Sequence, residues 1–419
     1  MKSVYLLATL DTKGLEAAFV RDALVARGVS TVVVDTGCLG APTIVADVTR
    51  AEVFDAAGMT LADLVARNDR GAAVTGATLG ATRLVAEAHA RGEVAGVLAL
   101  GGSAGTAIGT SAMRALPIGV PKVMVSTVAS GQVRPYVGDK DILMLNSVVD
   151  ILGLNRISRT ILGEAAQAMA GLVHFADEPA VTATDRPLVA VTMFGVTTPC
   201  VMRAREVLEE AGYEVLVFHA TGNGGLAMES LIRDGLIAGV LDVTTTELAD
   251  ELVDGVFTAG PSRLTAAVEM GIPQVVSVGA LDMVNFHAPE TIPARLSGRL
   301  FHRHNANVTL MRTTPDENAA LGAEIGRKLA GASGNAEIWL PLQGVSAIDA
   351  PGQPFEDQVA RHALFAALRA HAGATPVIEV DRHINDPEFA EAAADRLIEL
   401  LSEAGSERPP STRGDVRTA

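Results

Sequence analysis

The amino-acid sequence predicts an α/β protein with two domains, each built on a parallel sheet covered by helices. Three observations lead to this fold class. Short apolar runs alternate with helix-like segments along most of the chain, which is the sequence form of repeated βαβ units. Apolar residues make up 48% of the composition and aromatic residues only 4%, which suits Val-rich and Leu-rich sheets beneath Ala-rich helices. The length of 419 residues exceeds one ordinary domain.

The first domain is predicted to span residues 1–176. Apolar runs that end at polar residues or glycine predict its strands, and helical periodicity predicts its helices. The predicted strands are 4–10, 31–35, 94–100, 122–126 and 142–145, and the predicted helices are 16–26, 71–90 and 156–173. Residues 177–187 (DEPAVTATDRP) are polar and bounded by proline, which predicts a linker.

The alternating pattern then restarts and predicts a second domain over 188–403, so that the chain forms two Rossmann-like parallel-sheet domains with a cleft between them. The predicted strands are 188–192, 214–218, 239–243, 274–278, 308–312, 337–341 and 377–380. Residues 404–419 are polar and contain adjacent prolines, which predicts a disordered tail.

Charge and cysteine content exclude several classes of function. A formal net charge of −16 argues against non-specific binding to nucleic acid or to an anionic membrane, because both need positive patches. The two cysteines, Cys38 and Cys200, are too few for a disulfide framework. The N-terminal residues read as a strand and not as a signal peptide, and no window is apolar enough to span a membrane. We therefore expect a cytoplasmic protein with small-molecule partners.

The most informative segment is the glycine-rich loop that follows the predicted strand 94–100. It consists of Gly101, Gly102, Ser103, Ala104, Gly105 and Thr106, and a helix-like segment follows. A strand, a glycine turn and a helix start bring backbone N–H groups and the positive end of a helix dipole to one anion, usually a phosphate. The loop lacks the Gly-Lys-Ser/Thr ending of a P-loop, and the alternative interpretation is a purely structural tight turn.

Two further segments are predicted to meet this loop, because ligands of open parallel sheets bind beyond the carboxyl ends of the strands. Asp11, Thr12 and Lys13 follow the first strand, and Thr36 follows the second. Lys13 would face phosphate oxygens, Thr12 would donate a hydroxyl, and Asp11 could hold Mg²⁺. The alternative for Asp11 and Thr12 is helix capping. Arg83, on a helix rich in small residues, is either a phosphate contact or a solvated surface residue.

The second domain carries a similar strand–glycine loop–helix arrangement. We expect Thr221, Gly222, Gly224 and Gly225 to bind a substrate. Four residues at or near strand ends are candidate acid–base groups: His219, Glu229, Asp242 and His304. The alternative is that these are structural groups, and no pair of them has the HExxH spacing of a helical metal site.

Several motifs in one order resemble the ATP-binding domain family named after the tomato protein that confers resistance to tomato mosaic virus. They are ATLDTKG at 8–14, LGGSAGT at 100–106, HATGNGGLAME at 219–229, GIPQVVSVGALDMVNF at 271–286 and VTLMRTT at 308–314. The resemblance implies two α/β subdomains, ATP with Mg²⁺ bound by the first, and a homodimer or higher homo-oligomer.

Three functions agree with these patterns. The leading hypothesis is an ATP-binding protein that acts as an ATP-dependent enzyme on a small polar or acidic metabolite, since two glycine loops suit phosphoryl transfer. The second is a non-catalytic nucleotide sensor. The third is a lyase or hydrolase with its active site in the second domain.

Overall fold

The chain divides into two units, Met1–Thr182 and Ala183–Ala419. The computed structural model describes residues 2–38, 40–62, 64, 69–131, 133–176, 186–305, 307–332 and 334–407. The predicted linker, apart from Arg186 and Pro187, lies outside the described residues, as do positions 408–419 of the predicted tail. No helix in the described ranges has the length and apolar character that crossing a membrane requires.

The first unit contains a five-stranded parallel sheet with the order β2-β1-β3-β4-β5. Its strands are β1 Ser3–Ala8, β2 Thr31–Asp35, β3 Val94–Gly101, β4 Lys122–Ser126 and β5 Leu143–Asn146. Its helices are α1 Leu10–Val25, α2 Arg50–Ala56, α3 Arg70–Ala90, α4 Ser103–Arg114, α5 Arg134–Val137 and α6 Arg156–His174. Alternate residues of β1 point into two cores, one shared with α1 and α6, the other with α2, α3 and α4.

Small residues on α3 permit close packing against α2. A Cβ added to Gly80 would lie 1.8 Å from the backbone oxygen of Val53, and one added to Gly76 would lie 3.0 Å from a ring carbon of Phe54. Only glycine fits such a close helix contact. The small-residue run that suggested a ligand near Arg83 is therefore explained by packing between two helices.

The second unit contains a six-stranded parallel sheet with the order β14-β13-β9-β8-β6-β7, and a small antiparallel sheet with the order β10-β12-β11. Its strands are β6 Leu188–Met193, β7 Glu214–His219, β8 Gly239–Thr244, β9 Gln274–Gly279, β10 Met283–Phe286, β11 Phe301–Arg303, β12 Thr309–Arg312, β13 Ala336–Pro341 and β14 Val377–Val380. Its helices are α7 Thr198–Glu210, α8 Asn223–Arg233, α9 Glu247–Val253, α10 Ala266–Met270, α11 Pro315–Leu329, α12 Gln358–His371 and α13 Pro387–Glu407.

The predicted α/β class with two Rossmann-like parallel sheets is confirmed, and three local predictions are corrected. The predicted strand 308–312 is β12, which belongs to the antiparallel sheet and not to the parallel one. The first strand ends at Ala8, and α1 begins at Leu10 instead of residue 16. The last helix continues to Glu407, past the predicted start of the tail at residue 404.

Candidate functional site

A pocket of about 300 Å³ lies at the carboxyl edge of the first sheet. In chain order, β1 is followed by β2 on one side and β3 on the other, so the strand order changes direction between β1 and β3. Ligands of open α/β sheets bind at this point. Nine of the residues predicted from the sequence line the pocket: Asp11, Thr12, Lys13, Thr36, Gly101, Gly102, Ser103, Ala104 and Gly105.

The first turn of α4 supplies the pocket with backbone amides. Gly102 is the N-cap residue and offers no side-chain cap, and the N–H of Thr106 donates to the Gly102 carbonyl at 2.8 Å. The amides of Ser103 and Ala104 come before this bond, at positions where helical geometry provides no partner. A first turn whose N–H groups have no intrahelical partner attracts an anion through those groups and the helix dipole.

Two cations line the same pocket. Lys13 lies at a kink in α1, where its backbone leaves the helical region (φ −128°, ψ 17°). Arg70 is exposed at the start of α3 and was not predicted from the sequence. Within the described ranges, no hydrogen bond or ion pair holds the Lys13 ammonium or the Arg70 guanidinium. Both charges are therefore available to a ligand.

A buried aspartate fixes two of the pocket segments. The Asp35 carboxylate, at the end of β2, accepts the N–H of Leu10 at 3.1 Å and the N–H of Gly37 at 2.9 Å. Arg50 pairs with it at 2.8 Å and also donates to the Gly40 carbonyl. This arrangement explains why α1 begins at Leu10. Asp35 was not among the residues predicted from the sequence, although its position at the end of a predicted strand could have marked it as a residue of the site.

Cys38 lines the pocket beside these groups. Burial, and then the negative charge of Asp11, raise the pKa of its thiol.

The Asp11 carboxylate accepts the N–H of Gly40 at 3.1 Å. No group of three or more potential metal-ligating side chains occurs among the described residues, so a cation at Asp11 would need oxygens from the ligand or from water.

Two residues predicted to contact the nucleotide do not line the pocket. Thr106 is fully buried, and its hydroxyl bonds to the Gly102 carbonyl and to the Ser126 hydroxyl at 2.7 Å. Arg83 donates to the Ala56 carbonyl at 2.8 Å, which ties α3 to the end of α2. Both contacts hold parts of the fold together, so a nucleotide contact at Thr106 and at Arg83 stays a prediction that the pocket lining does not support.

The glycine loop of the second unit holds a carboxylate of the chain itself. The N–H groups of Gly222 and Gly225 donate to Oε1 of the fully buried Glu247, at 2.7 and 3.1 Å. A Cβ on Gly225 would lie 2.2 Å from the Glu247 carboxylate, and one on Gly224 would lie 2.0 Å from the His219 carbonyl. Glu247 thus occupies two amides of the loop, and the substrate site at Thr221, Gly222, Gly224 and Gly225 stays a prediction that these bonds do not favour.

Glu229 and Asp242 belong to a buried network around Arg263. Arg263 is fully buried and donates to both Asp242 oxygens, at 2.5 and 2.7 Å, and to Glu247 at 2.7 Å. Burial alone would lower the pKa of Arg263, but the carboxylates around it, Asp242 foremost, raise that pKa well above its ordinary value. The Glu229 carboxylate accepts the N–H groups of Leu264 and Ala266, at 2.6 and 2.8 Å.

These bonds favour the structural alternative for Glu229 and Asp242, because both carboxylates are buried and held by donors of the chain, and their acid–base role stays a prediction. His219 is exposed at the end of β7, where its ring packs 5.5 Å from the Phe194 ring and burial lowers its pKa. His304 is exposed in the turn between β11 and β12. In the described part of the chain, no hydrogen bond joins either imidazole to Glu229 or Asp242.

Comparison with known protein families shows that two family models match most of the chain. A model described as "Uncharacterised protein family (UPF0261) N-terminal domain" matches residues 2–178, and the corresponding C-terminal domain model matches residues 186–401. The chain belongs to the UPF0261 family. A UPF0261 protein of Clostridium tetani is 48% identical over 96% of this chain and 99% of its own length. A UPF0261 protein of Rhizobium meliloti is also 48% identical, over 94% of this chain and 98% of its own length.

The sequence motifs resembled a family named after a tomato protein, and tomato proteins are indeed similar to this chain. The ToMV resistance protein Tm-1(GCR237) of Solanum lycopersicum is 49% identical over 73% of the chain and 42% of its own length. Among solved structures, an S. aureus MnaA–UDP co-structure aligns over 99% of the chain at 11% identity with a TM-score of 0.20. A UDP-N-acetylglucosamine 2-epimerase from Rickettsia bellii aligns over 96% at 9% identity with a TM-score of 0.22. Scores this low support no functional conclusion.

Proposed function

We propose that the first unit of this UPF0261 protein binds ATP together with Mg²⁺. The observation that carries the proposal is the pocket between β1 and β3, where the first turn of α4 and the side chains of Lys13 and Arg70 line one cavity. Amides and cations that converge on a pocket are the groups that hold a polyphosphate. The volume of about 300 Å³ is at the lower end of the range for small-molecule sites.

The rest of the pocket suits a nucleotide better than inorganic phosphate. One part of its wall is formed by Ala73 and Val74 of α3 and Ile108 of α4, which present apolar surface to a base. The Asp11 carboxylate lies in the same pocket and would supply one oxygen to a magnesium ion that the phosphates also bind.

The distribution of charge supports the first unit as the anion site. Acidic residues exceed basic residues in the whole chain, but nearly all of that excess lies in the second unit. The first unit is close to neutral, so its field opposes a polyanion much less than the net charge of the chain suggests. The amides and cations of the pocket therefore meet little opposing charge from the rest of this unit.

Thermal denaturation with ATP and MgCl₂ tests the binding proposal. A ligand at one hundred times its dissociation constant stabilises the folded state by about 2.7 kcal/mol, so ATP should raise the melting temperature clearly. Lys13→Ala should remove most of this rise, because the variant lacks a cation that faces the phosphates. Arg21→Ala, which removes a partly exposed cation, paired with Asp22, from the same helix outside the pocket lining, is the matched control and should respond as the wild type does.

An unchanged melting temperature with ATP and every other nucleoside triphosphate would refute the proposal. An equal loss of the response in both variants would refute the assignment of Lys13. Release of phosphate from ATP, measured in the same preparations, separates an enzyme from a sensor. An enzyme releases phosphate steadily and loses this activity in Lys13→Ala, whereas a sensor binds ATP without turnover.

A further inference from the structure

The segment between β5 and α6, residues 147–153, is held in a strained conformation beside the pocket. Val148 has a φ of 61°, although it is β-branched and 69% exposed. This left-handed conformation is costly for a β-branched side chain and persists only where neighbouring bonds enforce it. The Ser147 hydroxyl donates to the Val149 carbonyl at 2.6 Å, and the Val148 N–H donates to the side chain of Asn146 at 3.2 Å.

Two contacts fix the end of this segment to the start of α1. Ile151 is 2% exposed and packs in the core that contains Leu10 and Ala17. The N–H of Gly153 donates to the buried Glu16 carboxylate at 2.6 Å. Glu16 lies three residues after Lys13, so this bond connects the segment to the part of α1 that carries Lys13.

Asp150 is the residue that this arrangement exposes to the pocket. Asp150 is exposed and lines the cavity, and its carboxylate makes no hydrogen bond or ion pair with any residue in the described ranges. A carboxylate without a partner in an anion pocket repels the phosphates. We therefore expect a group that can give up a proton, such as a water molecule, to lie between Asp150 and the ligand. The apolar wall of Ala73, Val74 and Ile108 is formed by helices on the other face of the sheet. Asp150 and this apolar wall therefore belong to segments on opposite faces of the sheet.

We infer that Asp150 is the catalytic residue that orients and deprotonates the water attacking the terminal phosphate of ATP. This inference rests on the proposed binding of ATP. The water oxygen forms a bond to the γ-phosphorus, the bond from that phosphorus to the bridging oxygen breaks, and its electron pair leaves with ADP. The proton of the water passes to the Asp150 carboxylate. A carboxylate in this role positions the nucleophile, while the α4 amides and Lys13 stabilise the charge on the phosphates.

Asp150→Asn tests the inference, because the amide keeps the shape of the side chain but accepts no proton at neutral pH. ATP binding, measured by calorimetry, should be unchanged or tighter, since a negative charge leaves the pocket. The turnover number for phosphate release should fall by about a hundredfold, the order of magnitude of general-base catalysis. Asp55→Asn, an exposed substitution on α2 outside the pocket lining, is the control and should leave both quantities unchanged.

The outcomes separate this inference from the proposed function. If the wild type fails to bind ATP, the proposed function fails. If the wild type binds ATP and releases no phosphate, or if Asp150→Asn keeps the wild-type turnover, ATP binding stands and the role of Asp150 is refuted. If Asp150→Asn loses ATP binding together with turnover, Asp150 acts in binding and the inference is also refuted.

Discussion

Glu247 shows at the level of single residues why a glycine-rich loop has two interpretations in a sequence. Its carboxylate occupies the amides of Gly222 and Gly225, so a loop with the composition of an anion site binds part of its own chain. In the first unit, Gly102 offers no side-chain cap to the corresponding loop. The two loops differ because a carboxylate of the chain binds the amides of the second loop. That carboxylate belongs to Glu247, which is 22 positions away from Gly225 in the sequence.

Val148 offers a direct test of strain beside the pocket. Val148→Asn should stabilise the protein by about 1 kcal/mol, because Asn adopts the left-handed region more easily than a β-branched residue does. Urea denaturation of the purified variant measures this change. Val45→Asn is the control, since Val45 is 88% exposed and is not among the residues with positive φ. A gain of the same size in both variants would show that polarity and not backbone strain causes the effect.

At the level of elements, the ends of strands and the starts of helices decide the site. The apolar runs predicted most strands to within one or two residues, because a buried parallel strand needs continuous apolar sequence. The start of α1 was not predicted, because Asp35 of β2 holds its first amide. A contact between distant segments has no local signal in the sequence.

The amino end of α4 carries a second prediction. Ala104→Asp places a carboxylate in the first helical turn, where the helix dipole favours it, so the fold should be kept. The same charge should weaken ATP binding at least about tenfold, a cost of about 1.4 kcal/mol, because it competes for the amides that face the pocket. Ala104→Asn has nearly the same size without the charge and should lose much less affinity. Equal dissociation constants for the two variants in calorimetry would contradict an anion site at α4.

At the level of the whole molecule, buried carboxyl groups of the second unit link stability to pH. Burial, and then the charge of Asp349, raise the pKa of Asp282 above its ordinary value, and burial raises the pKa of Asp250 to about 7. A carboxyl whose folded pKa is raised binds more protons in the folded state than in the unfolded state between the two pKa values. Its contribution to stability is therefore greatest at low pH and decreases as the pH rises through that window.

Melting temperatures of wild type and Asp282→Asn between pH 5 and 8 test this linkage. The wild type should lose more stability than the variant as the pH rises, because the amide that replaces the carboxyl group cannot ionise. The Ser346 hydroxyl, which bonds to Asp282 at 2.8 Å, still finds an acceptor in the amide oxygen. Parallel curves for the two proteins would show that Asp282 ionises in the folded state as freely as in the unfolded state.

The sequence by itself determined the α/β class, the two parallel sheets and the segments that follow β1, β2 and β3, because apolar periodicity and glycine turns are local properties. Tertiary structure alone decided which of two similar loops faces a pocket. It also brought Arg70 and Asp150 to that pocket and placed Glu229 and Asp242 in a buried network with Arg263. The physical reason is that a polar group becomes a ligand contact only when no other part of the chain satisfies it, and those partners lie far away in sequence.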